Sequence, residues 1–303
     1  MPGVTGTAQI DQAVERFLAE SRYTVQERDG IVRHTIENET LPEGEGPSYL
    51  IPKYGQVSTY ALTDGIDMSQ AQQITDTLMT ITPSEFGAQV VLTDMMMMTV
   101  RDSFYNVATR ILRDSFDRQQ DQTLCDDMDN YSIALGADGT VLTLSHLMAG
   151  VAAISDAGRA ADGTAGRGGE IAPRPYFACL APQQVHTLNK TLIGGAGAAG
   201  ATTITPETER ARKTSGSFNI PGVDVTVVVN TNFLKAADDT IKGGVYSKLA
   251  QILVELGGSA EPEKQRDASL RAWEVNYVGR WGRGEYNDGW GREMLFESVR
   301  PAS

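Results

Sequence analysis

Cysteine is nearly absent. The two present among 303 residues, Cys125 and Cys179, exclude a disulfide-stapled secreted scaffold and a four-cysteine zinc site, and they fit a reducing compartment. Histidine is almost as scarce: His34, His146 and His186 are the three in the chain, and none stands at ligand spacing from Cys, Asp or Glu. Positive charge is short as well, with 26 Lys plus Arg against 39 Asp plus Glu and a net charge of −13. A surface that grips many phosphates is thereby excluded. No apolar run approaches the roughly 18 residues of a membrane span, and MPGVTGTAQI at the start has no leader-like core. The chain is expected to be neither exported nor membrane-spanning, so the sequons at Asn38 and Asn189 carry no weight. A GxSxG elbow and a cysteine-protease signature are also missing, which leaves no nucleophile and an expectation of no enzyme activity.

What is present is globular usage, 41% hydrophobic and 21% charged, in a length suited to one or two domains. Residues 1 to 50 carry nine acidic and four basic side chains. One short helix is expected at Asp11 to Ser21 and an extended arm around it, closed by the linker-like LPEGEGPSY at Leu41 to Tyr49. From Leu50 to Leu92 the Thr, Val, Tyr and Ile content with a turn at Thr63-Asp64-Gly65 reads as a long projecting hairpin, ending in a strand over Phe86 to Thr93.

Helix follows from Asp94 to about Asp129, with a break near Arg101 to Ser103. Phe104, Val107, Ala108, Ile111, Leu112, Phe116, Leu124 and Met128 form its apolar stripe, and Arg110, Arg113, Asp114, Asp117, Arg118 and Asp121 its polar side. Two short strands are expected around Ala137-Asp138-Gly139, then a helix capped by Ser145 and ended by Gly158. A strand over Tyr176 to Leu180, a helix opened by Pro182 and a strand over Val223 to Val229 make an α+β unit across roughly 170 to 260. Glycine tracts at 158–170 and 191–206 read as loops, and strands at Leu270 to Trp281 and Met294 to Val299 close the chain.

Chemical motifs are weak. Gly195, Gly197 and Gly200 match GxGxxG, but a helix-like segment precedes them where a dinucleotide site needs a strand. Asp126, Asp127 and Asp129 lack the glycine and glutamate of a calcium loop, and at a helix C-terminus they should face a cation or another subunit. Met95 to Met98 read as core packing, and Trp273, Trp281, Trp290, Tyr277 and Tyr286 as core and subunit contacts. No residue is assigned to a catalytic, cofactor-binding or metal site, and no cofactor is expected.

The order of elements is the informative feature. IPKYG opening a loop, TPSEFGAQVVLTD returning from it, the helix NVATRILRDSFDRQQDQTL, and the closing WEVNYVGRWGRGEYNDGWGREMLFES together resemble the major capsid proteins of tailed bacteriophages, the Hong Kong 97 capsid fold. The resemblance implies an α+β chain with an N-terminal arm (1–48), an extended loop (49–92), a peripheral domain with a long spine helix (93–169 and 261–303) and an axial domain (170–260). It implies self-assembly as hexamers and pentamers into an icosahedral head that encloses double-stranded DNA without sequence-specific binding, in a virion assembled in the host cytoplasm. Portal and decoration proteins are implied partners, and an arm of this length implies a separate scaffolding protein. An encapsulin-like cargo shell shares the fold. A nucleotide-dependent enzyme using the loop at Gly195 to Gly200 is the alternative from another class. Some relatives join subunits through a loop lysine; here the loop has only Lys53, near its base, and no crosslink is expected.

Overall fold

The structure, a computed structural model, describes residues 4–5, 32–42, 44, 46–55, 57, 59–61, 64, 71–99, 103–156, 171–194, 217–220, 223–235, 239–257 and 261–297. The helix expected at Asp11 to Ser21, the tract 158–170 and the glycine motif at Gly195 to Gly200 lie outside these residues.

In chain order the strands are β1 (Val4–Thr5), β2 (Glu37–Leu41), β3 (Tyr49–Tyr54), β4 (Asp76–Ile81), β5 (Ser84–Thr93), β6 (Ala134–Gly136) and β7 (Tyr176–Leu180). They continue as β8 (Ser217–Asn219), β9 (Thr226–Val229), β10 (Thr240–Ser247), β11 (Gln251–Leu256), β12 (Glu261–Asp267), β13 (Ala272–Glu285) and β14 (Gly291–Glu297). The helices are α1 (Asp94–Thr99), α2 (Ser103–Asp126), α3 (Leu144–Ser155) and α4 (Pro182–Gly194).

Among the described residues these strands form two six-stranded sheets and a two-stranded ribbon. The first sheet runs β1-β5-β13-β11-β2, with β12 also on β13. The second runs β6-β14-β10-β7-β9-β8, and β3 with β4 forms the ribbon. Of the range 49–92, therefore, 49–54 and 76–81 are ribbon and 84–93 is a strand of the first sheet. The second sheet joins strands drawn from 134–136, 176–229, 240–247 and 291–297. Fourteen-residue β13 organises the first sheet: Ala272 to Trp281 pair with β5, and Gln251 on β11 faces Glu285 at its far end.

The spine helix is α2, 24 residues and about 36 Å long, continuing as a tight 3-10 turn over Asp127–Asn130. Its buried line is Ala108, Leu112, Leu124, Cys125 and Met128, packed on β5 and β13 at one end and on the second sheet at the other. Two residues depart from the expected stripe. Ile111 is 47% exposed, whereas Asp121, placed on the polar side by periodicity, is 1% exposed. The helix changes its buried face midway because its second half is covered by the entering chain at 32–36 and the loop at 230–232.

Several boundaries shift for local reasons. Residues 32–41, expected as free arm, pack into the body: Val32, Ile36 and Leu41 are buried, and β2 runs parallel to β11. Helix α3 is capped by Thr143 rather than Ser145; the Thr143 N–H donates to His146 Nδ1 at 3.3 Å. The second strand expected after Gly139 does not form, because β6 takes β14 as its partner and Glu297 N donates to Thr140 O. The strand expected from Val223 starts only at Thr226, since Val223 N and Val225 N are taken by local turns to Ile220 O and Val223 O. Strands β10 to β12 were not anticipated. In β10 the glycines are steric necessities: a Cβ at Gly243 would lie 2.6 Å from Cys179 O and one at Gly244 2.9 Å from Met128 Sδ.

The revised stripe makes a test. Leu124→Ala should cost about 2–5 kcal/mol of stability by the usual cavity penalty, and Ile111→Ala about 0.5 kcal/mol. Urea unfolding of the two variants checks the ranking, and an equal loss at both positions would contradict this burial pattern.

Candidate assembly interface

The ribbon has two unlike faces. Antiparallel register sets Tyr49 against Ile81, Ile51 against Met79 and Lys53 against Thr77 on one face. That face lies on the body: Tyr49, Ile51, Met79 and Ile81 pack with Ile252, Val254, Leu256 and Tyr286 in a separate apolar cluster. Gly284 makes the seat possible, since a Cβ there would fall 2.3 Å from Met79 Cε and 2.8 Å from Ile81 Cγ1. Lys53 folds back over the same ground, its Nζ 5.5 Å from the Tyr286 ring centre and 5.8 Å from that of Trp290. The opposite face carries Leu50, Pro52, Tyr54 and Leu78, with Leu50 54%, Tyr54 67% and Leu78 60% exposed. An apolar face on a ribbon with open edges is a surface built to be covered.

Beneath the body a buried polar node ties three chain segments to the spine. The Asp121 carboxylate accepts from Val32 N (3.1 Å), Asn230 Nδ2 (2.5 Å) and Asn232 Nδ2 (2.8 Å). Beside it, buried Gln120 accepts from Arg33 Nη1 (3.4 Å) and donates to Glu255 Oε1 (3.3 Å), while Arg33 Nη2 pairs with Glu255 at 2.7 Å. Periodicity alone could not reveal this node, because its partners lie 87 to 135 positions away in sequence.

The acidic cluster at the helix end finds its cations within the chain. Asp127 pairs with Arg283, whose Nη1 also donates to Thr123 O at 2.8 Å, and Asp129 pairs with Lys242. Burial pushes the Asp127 carboxyl up to about 6 against the pull of Arg283. The hydrogen bond to Asp129 raises Lys242, which also lies 3.5 Å from Glu293.

Other singled-out residues are structural. His34 and His186 are exposed and His146 caps α3, stacked obliquely on Phe296 at 4.9 Å. Cys125 and Cys179 are both buried, and burial pushes the Cys125 thiol well up, which keeps it unreactive. Met96 is core as expected, but Met95 and Met98 are exposed, a departure from simple core packing. Trp281 stacks on Phe86 at 4.4 Å, Tyr277 meets Phe116 edge-on at 5.3 Å, and Lys264 sits 4.2 Å over half-buried Trp273. The segment before Gly195 is helix α4, not a strand. Among the described residues no group of three His, Cys, Asp or Glu is placed to hold a metal ion, and no helix is long and apolar enough to cross a membrane.

No protein-family model matches the chain, and no curated protein matches it. Solved structures do. The chain is similar to the head structure of Helicobacter pylori bacteriophage KHP40 with a TM-score of 0.68 at 10% identity, covering 97% of this chain and 99% of that one. It is similar to the capsid of Ralstonia phage GP4 with a TM-score of 0.64 at 12% identity over 100% of both chains. For the capsid of cyanophage P-SCSP1u the TM-score is 0.61 at 15% identity, covering 97% of this chain and 96% of that one. The fold is that of phage capsid proteins.

The polar node yields a prediction. Asp121→Ala strips a shared acceptor from three donors and should cost about 2–4 kcal/mol, with Asp121→Asn losing less. Chemical unfolding followed by circular dichroism reads both, and a loss below about 0.5 kcal/mol for the alanine variant would show the node to be incidental.

Proposed function

We propose that this chain is a major capsid protein that self-assembles into a closed icosahedral phage head around double-stranded DNA. The observation that carries the reading is the ribbon: its inner face is seated on the body, and among the described residues nothing covers its outer apolar face. A second copy is the natural cover, and closed symmetry covers every copy at once. The capsid fold of the chain supports the same conclusion.

In this reading the divisions at 1–48, 49–92, 93–169 with 261–303, and 170–260 correspond to the arm, extended loop, peripheral and axial parts of the Hong Kong 97 arrangement. Scaffolding, portal and decoration proteins are its partners, and assembly takes place in the host cytoplasm. The net charge of −13 suits a wall that encloses DNA without holding it, because few phosphates are neutralised and the packed strand can slide. The chain acts as a building block and not as an enzyme. Lys53, held over Tyr286 and Trp290, serves its own subunit and forms no bond to a neighbour.

The double variant Leu50→Asp, Leu78→Asp puts two carboxylates on the outer ribbon face and leaves the seat untouched. It should keep the wild-type circular dichroism and lose particle formation in light scattering and negative-stain microscopy. Particles at wild-type yield would overturn the role given to the ribbon.

A further inference from the structure

The joined ends of β11 and β13 have two unlike sides. Gln251 stands opposite Glu285 and Leu253 opposite Arg283, so Gln251, Arg283 and Glu285 project to one side of the pair and Ile252 and Gly284 to the other. The second side is the seat of the ribbon, where Met79 and Ile81 rest on Gly284. The first side faces the end of the spine, since Arg283 pairs with Asp127 and donates from Nη1 to Thr123 O at 2.8 Å. At this junction lies a cavity of about 110 Å³ lined by Asp127, Asn130, Gln251, Arg283, Gly284 and Glu285.

Oxygen acceptors dominate the lining. Gln251 is only 4% exposed, and its buried Oε1 has no hydrogen-bond partner among the described residues. A buried carbonyl left unpaired is costly, so this end of the cavity calls for a donor or a positive charge. Asn130 Nδ2 donates to Asp127 Oδ1 at 3.2 Å, which leaves the Asn130 carbonyl oxygen as a second acceptor. Asp127 and Glu285 add carboxylates, and Asn130 and Glu285, both exposed, form the mouth through which a ligand enters. The cation in the lining, Arg283, is directed to Asp127 and Thr123 O.

We infer that this cavity binds a calcium-sized divalent cation through the amide oxygens of Gln251 and Asn130 and the carboxylates of Asp127 and Glu285, with water completing the shell. The lining has no His or Cys, and a set made only of carboxylate and amide oxygens selects a hard cation. Calcium accepts such an irregular set, whereas magnesium demands near-ideal octahedral geometry and keeps its waters. The charge balance agrees. Burial, opposed by Arg283 and aided by Asp126, pushes Asp127 up to about 6, and burial with Asp288 and Asp127 nearby pushes Glu285 up to about 7. Both carboxyls therefore sit where positive charge is short, and a dication supplies it. By its position the ion clamps the spine end to the strand that carries the ribbon seat. With two carboxylates rather than three, the affinity is modest, a dissociation constant of about 0.1–1 mM.

Terbium titration of the full-length chain after treatment with EDTA reads the site directly, because Tyr131 and Tyr286 adjoin Asn130 and Glu285 in the chain and sensitise the luminescence of an ion bound there. The signal should saturate, and calcium should displace it at about 0.1–1 mM. Glu285→Gln lies at the exposed mouth, should keep the wild-type circular dichroism, and should weaken calcium binding about tenfold or more. Gln251→Leu removes the buried oxygen and should weaken it comparably, with the Glu285 variant carrying the test if the core change disturbs folding. Glu263→Gln removes an exposed carboxylate opposite Asn276, away from the cavity, and should bind as the wild type does, which separates the site from diffuse attraction to a chain of net charge −13. No displacement by millimolar calcium, an affinity unchanged in Glu285→Gln, or the same loss in Glu263→Gln as in Glu285→Gln would each overturn the site.

Discussion

A two-stranded ribbon has no core of its own, so its direction is set wholly by what lies under its foot. Here that foot is an apolar cluster built from both ribbon strands, β11 and Tyr286, made close-fitting by the missing side chain of Gly284. Much else in the molecule serves to hold this seat still. Strand β13 carries it and is itself gripped by β5 along ten residue pairs, from Ala272 with Thr93 to Trp281 with Ser84. Strand β11 completes it and is in turn flanked by β2 from the entering chain. A rigid foot under a coreless ribbon gives an arm that points one way in every copy, which identical subunits need if they are to close on one another.

The spine helix supplies the second constraint. Its first half rests on the first sheet through Ala108 and Leu112, its second half on the second sheet through Leu124, Cys125 and Met128, so one rod fixes the two sheets against each other. Between these halves sit Gln120 and Asp121, which bind the entering chain and the loop at 230–232. Burying a carboxylate is costly unless its acceptors are filled, and three donors fill them. The same requirement makes the node specific, because an apolar replacement could bury the helix but could not fix the register of three distant segments.

Much of this was legible in the sequence. The spine periodicity, the Pro182 helix start, the buried run at 176–180 and the closing strands are local signals, and each is present where expected with ends moved by a few residues. Order along the chain then pointed to the fold. The illegible parts are those decided by distant partners. Ile111 and Asp121 exchange their expected environments because the covering segment changes along the helix. Strand β10 hides behind Gly243 and Gly244, which close packing demands. Strand β12 reads EPEKQRD and has no apolar pattern at all, being an edge whose charges and proline discourage further pairing. The seat draws residues from 49–54, 76–81, 252–256 and 284–286, and no local pattern brings those together.

The decisive measurement is electron cryo-microscopy of particles formed by the purified chain, carried far enough to trace the backbone. Closed shells should be found in which residues 49–81 of each copy lie across a neighbouring body, with Leu50, Pro52, Tyr54 and Leu78 covered there. Closed shells whose ribbons stand uncovered or fold onto their own subunit, or a chain that stays monomeric, would contradict it.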